Sequence, residues 1–158
     1  MLPVTIRVAS VKTALVTGAS SGIGAATAVL LASQGWQVIA AARRLERLEA
    51  LGEGITPLQL DVTGSTDALR QITELDLLVA NAGGAYDLDR LEDADVDAWA
   101  RMYDVNVLGV VRTVQALLPA LKARQGQLIL TGSTAGRWVY EGGGGYVAAK
   151  HAVAALRD

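Results

Sequence analysis

Tyr146 and Lys150 stand four residues apart, and Ser133 stands thirteen residues before the tyrosine. On a helix, side chains at that four-residue spacing lean from one face. A phenol beside an ammonium is an acid/base pair in waiting. A lone tyrosine titrates near pH 10, too high for a base at neutrality, and a nearby positive charge favours the phenolate. Reduction of a carbonyl needs such a group to protonate the forming alkoxide, and oxidation of an alcohol needs it to take the proton back. Taken alone, the pair also describes any amphipathic helix with an exposed lysine. Its position separates the two readings: it follows a serine at a predicted strand end and lies downstream of a glycine-rich turn.

That turn is "TGASSGIG", residues 17–24, directly after the apolar run "KTALV". Gly18, Gly22 and Gly24 sit between a predicted strand and a predicted helix. A tight turn, a backbone approached closely by a ligand and a helix packed hard on a strand each exclude a Cβ. The helix start offers unpaired amides and the positive end of a dipole, a setting suited to a pyrophosphate. Ser20 and Ser21 add hydroxyl donors. His151, the sole histidine, points about 100° away from Lys150 on the helix and is read as a surface or structural residue.

Periodicity supplies the elements that must hold these groups. Strands are expected at 12–17, 36–42, 55–62, 74–84 (running into a glycine turn) and 126–133, and helices after the first glycines, at 43–52, 65–73, 96–124 and 144–157. Gly35 and Gly52 stand where C-terminal caps belong. Pro57 lies near the start of its strand, where a missing amide costs least. The helix over 96–124 is expected to bury Val105, Leu108, Val111, Val114, Leu117 and Leu118. The acidic stretch "DLDRLEDADVDAW" reads as a solvated face. Alternating strands and helices imply right-handed crossovers and a doubly wound parallel sheet with helices on both faces, a Rossmann-like α/β fold. Ligands of such sheets bind at the carboxyl ends of the strands. Gly18, Arg43, Asp61, Asn81 and Ser133 all fall at such ends.

The 158 residues, with net charge −2 and no cysteine, suit one domain and give no broad basic surface for nucleic acid. Disulfides and cysteine-based metal sites are excluded, and no metal is expected. The opening "MLPVTIRVAS" lacks the apolar core of a signal peptide, and no apolar run reads as a bilayer span. The expected setting is cytoplasmic.

The motifs together resemble the short-chain dehydrogenase/reductase family. "TGASSGIG", covering Gly18, Ser20, Ser21, Gly22, Ile23 and Gly24, has its TGxxxGxG spacing. Asp61 and Val62 resemble its adenine-contacting pair. Asn81, Ala82 and Gly83 resemble its NNAG, with Ala80 replacing the first asparagine. Asn106 in "NVLG" matches its asparagine, and Ser133 with "YVAAK" its Ser and YxxxK pattern. The resemblance implies a nicotinamide cofactor, a small carbonyl or alcohol substrate and a homo-oligomer, dimer or tetramer, paired through the helices at 96–124 and 144–157. It implies that Ser133 bonds the substrate oxygen and that Tyr146 is the acid/base. It implies that Lys150 also reaches the nicotinamide ribose and that Asn106 holds a water leading to Lys150. An NAD enzyme usually ends its second strand with an acid. Here Ala42 stands there, followed by Arg43 and Arg44, a composition that suits a 2′-phosphate. NADP is therefore expected before NAD.

Members of that family continue past the YxxxK helix with further strands and a substrate-covering segment. The chain given stops at Asp158, so a fold truncated after that helix is expected, and the stretch from Asp61 to Leu75 is short for the family. Two classes stay open: an oxidoreductase, or a nucleotide-binding module that keeps the motifs without turnover. Trp138 and Gly142–Gly145 border the expected pocket without naming a substrate.

Overall fold

The computed structural model describes residues 11–86 and 88–156. The opening segment lacking a signal-peptide pattern, Asp87 of the acidic stretch and the last two residues of the chain lie outside the described residues.

Five parallel strands form one sheet in the order β3-β2-β1-β4-β5. They are β1 (Thr13–Thr17), β2 (Gln37–Ala42), β3 (Ile55–Gln59), β4 (Leu77–Ala80) and β5 (Gln127–Leu130). Alternation of side chains divides the core in two. Ala14 and Val16 of β1 face α1 (Gly22–Ser33) and α2 (Leu45–Glu49), packing with Ala28 and Leu48. Leu15 faces the other way and packs with Leu78 and with Leu117, Ala120 and Leu121 of α4 (Gly109–Arg124). Leu15, Leu78 and Leu117 are fully buried, and each such side chain stabilises the fold by about 1.5–3 kcal/mol. The expected doubly wound sheet is thus present. Its strand order reverses beside β1, where β1 and β4 run next to each other.

Several local expectations are corrected. Over 65–73 only a single 3-10 turn forms, Leu69–Gln71. Ser65 and Asp67 bond each other instead, through the Asp67 carboxylate and amide, which competes with a helical start. The segment 96–124 is helical throughout but not one α-helix. α3 (Val96–Tyr103) passes through a π turn, Asp104–Leu108, into α4. Its buried face runs through Val107, Val110, Thr113, Ala116, Leu117, Ala120 and Leu121, whereas Leu108 and Leu118 are exposed. Leu117 is buried and Val105 and Val114 pack against the core as expected, but a strict three-residue spacing drifts about 60° per step around an α-helix, so the stripe's Leu108 and Leu118 reach solvent. This 29-residue helical stretch is long and apolar enough to cross a membrane, yet it lies against the sheet, which accounts for its composition.

Gly35 and Gly52 take positive φ, +83° and +106°, just past α1 and α2. On β3, the Gly54 carbonyl accepts from Val38 and the Leu60 amide donates to Ala42. Even-numbered residues therefore face β2, and Pro57 faces the open edge.

Candidate active site

The glycine turn is built where β1 and β4 end side by side. Thr17, buried, closes β1, and its Oγ1 accepts the amides of Asn81 and Ala82 at 3.0 Å each. Asn81 returns the contact, donating from Nδ2 to the Thr17 carbonyl at 3.0 Å. Thr131, just past β5, donates to Asn81 Oδ1 at 3.3 Å. Three strand ends are thereby tied into one rigid rim.

Each glycine of the turn has its own reason. Gly18 has φ +68°, and a Cβ there would lie 2.9 Å from Ala82 Cα. Gly24 lets α1 meet β1: a Cβ would press on the Gly18 carbonyl and lie 2.6 Å from Asn81 Nδ2. Gly22 has φ +57° and open space where its Cβ would be. Ser21 precedes α1 without a side-chain cap, so the helix's first amides are left for a ligand.

A groove runs from this turn in both directions. Its first half, about 140 Å³, is lined by Gly18, Ser20, Arg43, Arg44, Asp61 and Val62, with Ala82 and Gly83 on its inner wall. Arg44 Nη2 donates to Ser20 Oγ at 2.9 Å and to Ser21 Oγ at 3.4 Å. Asp61 accepts the Thr63 amide at 3.0 Å and the Thr63 hydroxyl at 2.7 Å. Those two bonds, with the Arg43 charge behind them, hold its carboxyl below the usual carboxylate value.

The second half, about 390 Å³, brings together Gly18, Ser21, Ile23, Asn81, Gly83, Ser133, Tyr146 and Lys150. Tyr146 and Lys150 come from the first two turns of α5 (Gly144–Ala155), and Ser133 from the turn after β5. Lys150 Nζ lies 5.7 Å from the centre of the Tyr146 ring and donates to the Thr131 carbonyl at 3.0 Å. Lys150 is 6% exposed, and burial pulls its pKa below the ordinary lysine value. Ser133 Oγ accepts the Ala135 amide at 3.2 Å, which leaves its proton free for a ligand.

Asn106 stands behind this cleft rather than in it. It is fully buried in the π turn, with Nδ2 donating to the carbonyls of Gly84 and Met102, both at 2.8 Å. Its Oδ1 accepts the Gly84 amide at 3.2 Å. Both amide protons are committed to protein groups, and one carbonyl lone pair remains. Gly83 separates Asn106 from Lys150: a Cβ there would lie 2.6 Å from Asn106 Oδ1 and 3.6 Å from Lys150 Nζ.

His151 is exposed, its Nδ1 2.9 Å from the Val147 carbonyl. Trp138 is 71% exposed and lines neither half of the groove. Sequence reasoning passed over Thr17 and Thr131. The first is the opening letter of the TGxxxGxG spacing and could have been found from it. The second acts through its hydroxyl on Asn81 and its backbone carbonyl on Lys150, and belongs to no motif that would signal it. Tyr86, which lines the first half beside Asp61, was also passed over.

Residues 12–158 match the family described as short chain dehydrogenase. The chain belongs to that family. It is 49% identical over 151 residues to a Mycobacterium tuberculosis protein named an uncharacterized oxidoreductase, covering 92% of this chain and 60% of the relative. It is 40% identical over 148 residues to an NADP-dependent 3-hydroxy acid dehydrogenase of Salmonella typhi, covering 86% and 60%. Among solved structures it resembles an alcohol dehydrogenase of the archaeon Thermococcus sibiricus complexed with 5-hydroxy-NADP. That match has a TM-score of 0.86 and 36% identity and covers 93% of this chain and 68% of the other. The chain spans about 60% of the length of the curated relatives it matches.

Proposed function

We propose that the protein is an NADP(H)-dependent oxidoreductase acting on a small carbonyl or secondary alcohol, with Tyr146 as its acid/base. One observation carries the reading: Tyr146, Lys150 and Ser133 border the same cleft as the glycine turn, so a ligand held at the turn reaches the phenol.

The residues fit a dinucleotide. Gly22 leaves open space at an uncapped helix start, the setting a pyrophosphate requires. Arg43 and Arg44 line the groove where β2 ends, with Ser20 and Ser21 already hydrogen-bonded to Arg44. Two guanidiniums and no carboxylate at Ala42 favour a 2′-phosphate over a free 2′-hydroxyl. The NADP-dependent relative and the relative solved with an NADP derivative agree with that choice.

When bound, the nicotinamide supplies or accepts the hydride. The chain handles the proton. In reduction the Tyr146 phenol gives its proton to the substrate oxygen, and in oxidation the phenolate takes it back. The Ser133 hydroxyl donates to the same oxygen and steadies its developing charge. Lys150 favours the phenolate through its charge, and the Thr131 carbonyl fixes the ammonium in place.

Tyr146→Phe in the full-length protein tests the reading. NADPH binding should change little, while carbonyl reduction should fall by about a hundredfold or more. A variant that keeps the parent rate would overturn the assignment of Tyr146.

A further inference from the structure

The start of α5 carries no side chains. Gly143 precedes the helix, and Gly144 and Gly145 follow, immediately before Tyr146. Glycine is the poorest helix former apart from proline, so this run needs a reason. Its surroundings give one. A Cβ at Gly144 would lie 2.6 Å from Trp99 Cζ2 and 2.8 Å from Trp99 Cη2. A Cβ at Gly145 would lie 2.7 Å from Met102 Cε and 2.9 Å from Trp99 Cγ. The backbone of α5 therefore rests directly on the indole, with no room for a methyl group.

Trp99, Met102 and Asn106 follow one another at three- and four-residue spacing, the spacing of one helix face. At its far end Asn106 grips Gly84 and the Met102 carbonyl. The same face thus fixes the back wall of the cleft and the floor under the residue preceding Tyr146.

We propose that Trp99 is a positioning residue for Tyr146. Its indole sets how deeply the first turn of α5 seats, and hence how far the phenol enters the cleft beside Ser133. Trp99 needs no contact with reacting atoms, because it acts through Gly144 and Gly145. The inference rests on the reading of Tyr146 as the acid/base.

The test compares Trp99→Ala, Trp99→Phe and Gly145→Ala in the full-length protein, with Tyr146→Phe in parallel. NADPH affinity is read by cofactor fluorescence, and kcat and KM on a carbonyl substrate of the parent. A reactive group misplaced by about 1 Å can cost on the order of a hundredfold, so kcat should fall at least about tenfold in Trp99→Ala. NADPH affinity should stay within about threefold of the parent, because only a loss confined to kcat marks a misplaced acid. Trp99→Phe should recover most of the rate. Gly145→Ala, whose methyl must displace the indole, should lower kcat in the same way and decides the matter if Trp99→Ala does not fold. A kcat within about twofold of the parent in Gly145→Ala, or NADPH affinity falling in step with kcat, would overturn the inference. Loss of rate in Tyr146→Phe beside unimpaired Trp99 and Gly145 variants defeats the inference alone. Full rate in Tyr146→Phe defeats the acid/base reading, and the inference with it.

Discussion

Asn106 grips Gly84 at both of its backbone groups, giving a proton to the carbonyl at 2.8 Å and taking one from the amide at 3.2 Å. A side chain has replaced a neighbouring strand for one residue. The loop after β4 is held to the helix that passes behind it.

Asn106→Ala should therefore destabilise the fold. It strands the Gly84 amide and the carbonyls of Gly84 and Met102, and buried polar groups left unpaired cost about 1–3 kcal/mol each. Urea unfolding should show a loss of about 2–4 kcal/mol once water satisfies part of the deficit. A change under 0.5 kcal/mol, the scale of a neutral surface substitution, would mean that Asn106 does not carry this load.

Gly22 and Gly24 should separate binding from folding. Gly24→Ala forces a methyl against Asn81 and the Gly18 carbonyl, an overpacking cost of about 1–3 kcal/mol in thermal or urea unfolding. Gly22→Ala meets no neighbour, so its folding cost is the left-handed strain alone, about 1–2 kcal/mol. Its methyl would stand in open space at the uncapped start of α1, between the groove-lining Ser21 and Ile23, so NADPH affinity should fall about tenfold or more, worth at least about 1.4 kcal/mol. Unchanged NADPH binding in Gly22→Ala would show that the cofactor does not approach this turn.

Arg44, with its bonds to Ser20 and Ser21, is the arginine most firmly aimed at the groove. Arg44→Ala should weaken NADPH binding by about 10- to 100-fold, the worth of one charge-assisted hydrogen bond, and leave NADH binding nearly unchanged. Arg43→Asp should move the preference towards NADH by repelling the 2′-phosphate. Calorimetry with both cofactors checks this, and tighter NADH binding by the parent would refute the choice of NADP.

Lys150 makes stability depend on alkaline pH. Its pKa is lowered in the fold by burial, so between that value and the ordinary value of 10.5 the unfolded chain binds a proton that the folded chain does not. Stability then rises with pH through that window, and the contribution is lost as pH falls through the folded pKa. Lys150→Met should flatten the rise in urea midpoints measured across this window and abolish turnover. A slope identical to the parent's would show that another group is responsible.

The strands were legible because each is a short apolar run with a glycine, arginine, aspartate, asparagine or serine at its end. The grouping of Tyr146, Lys150 and Ser133 around one cleft was legible because helix spacing fixes Tyr146 and Lys150 on one face and a strand end delivers Ser133. The π turn at 104–108 was not. It adds no proline or glycine signal of its own and shifts the helix by less than a turn. Val110, Thr113, Ala116, Ala120 and Leu121 on the buried face of α4 were missed with it, whereas Leu117 was found. The expected helix at 65–73 failed for a local reason, since Ser65 and Asp67 satisfy each other. The seat of α5 on Trp99 could not be read at all, because contacts made by absent side chains leave only a string of glycines.

Pro57 gives the sheet a direction of growth. On β3 the residues facing outward are Ile55, Pro57 and Gln59, and the middle one has no proton to offer. An incoming strand would find its central donor missing, so that border resists being extended by another chain. The opposite border, β5, is a run of Gln127, Leu128, Ile129 and Leu130 without proline, and Leu128 and Ile129 are 41% and 48% exposed. The sheet is guarded on one side and receptive on the other. Among the described residues, β5 is the border that offers an incoming strand an unbroken row of donors and acceptors.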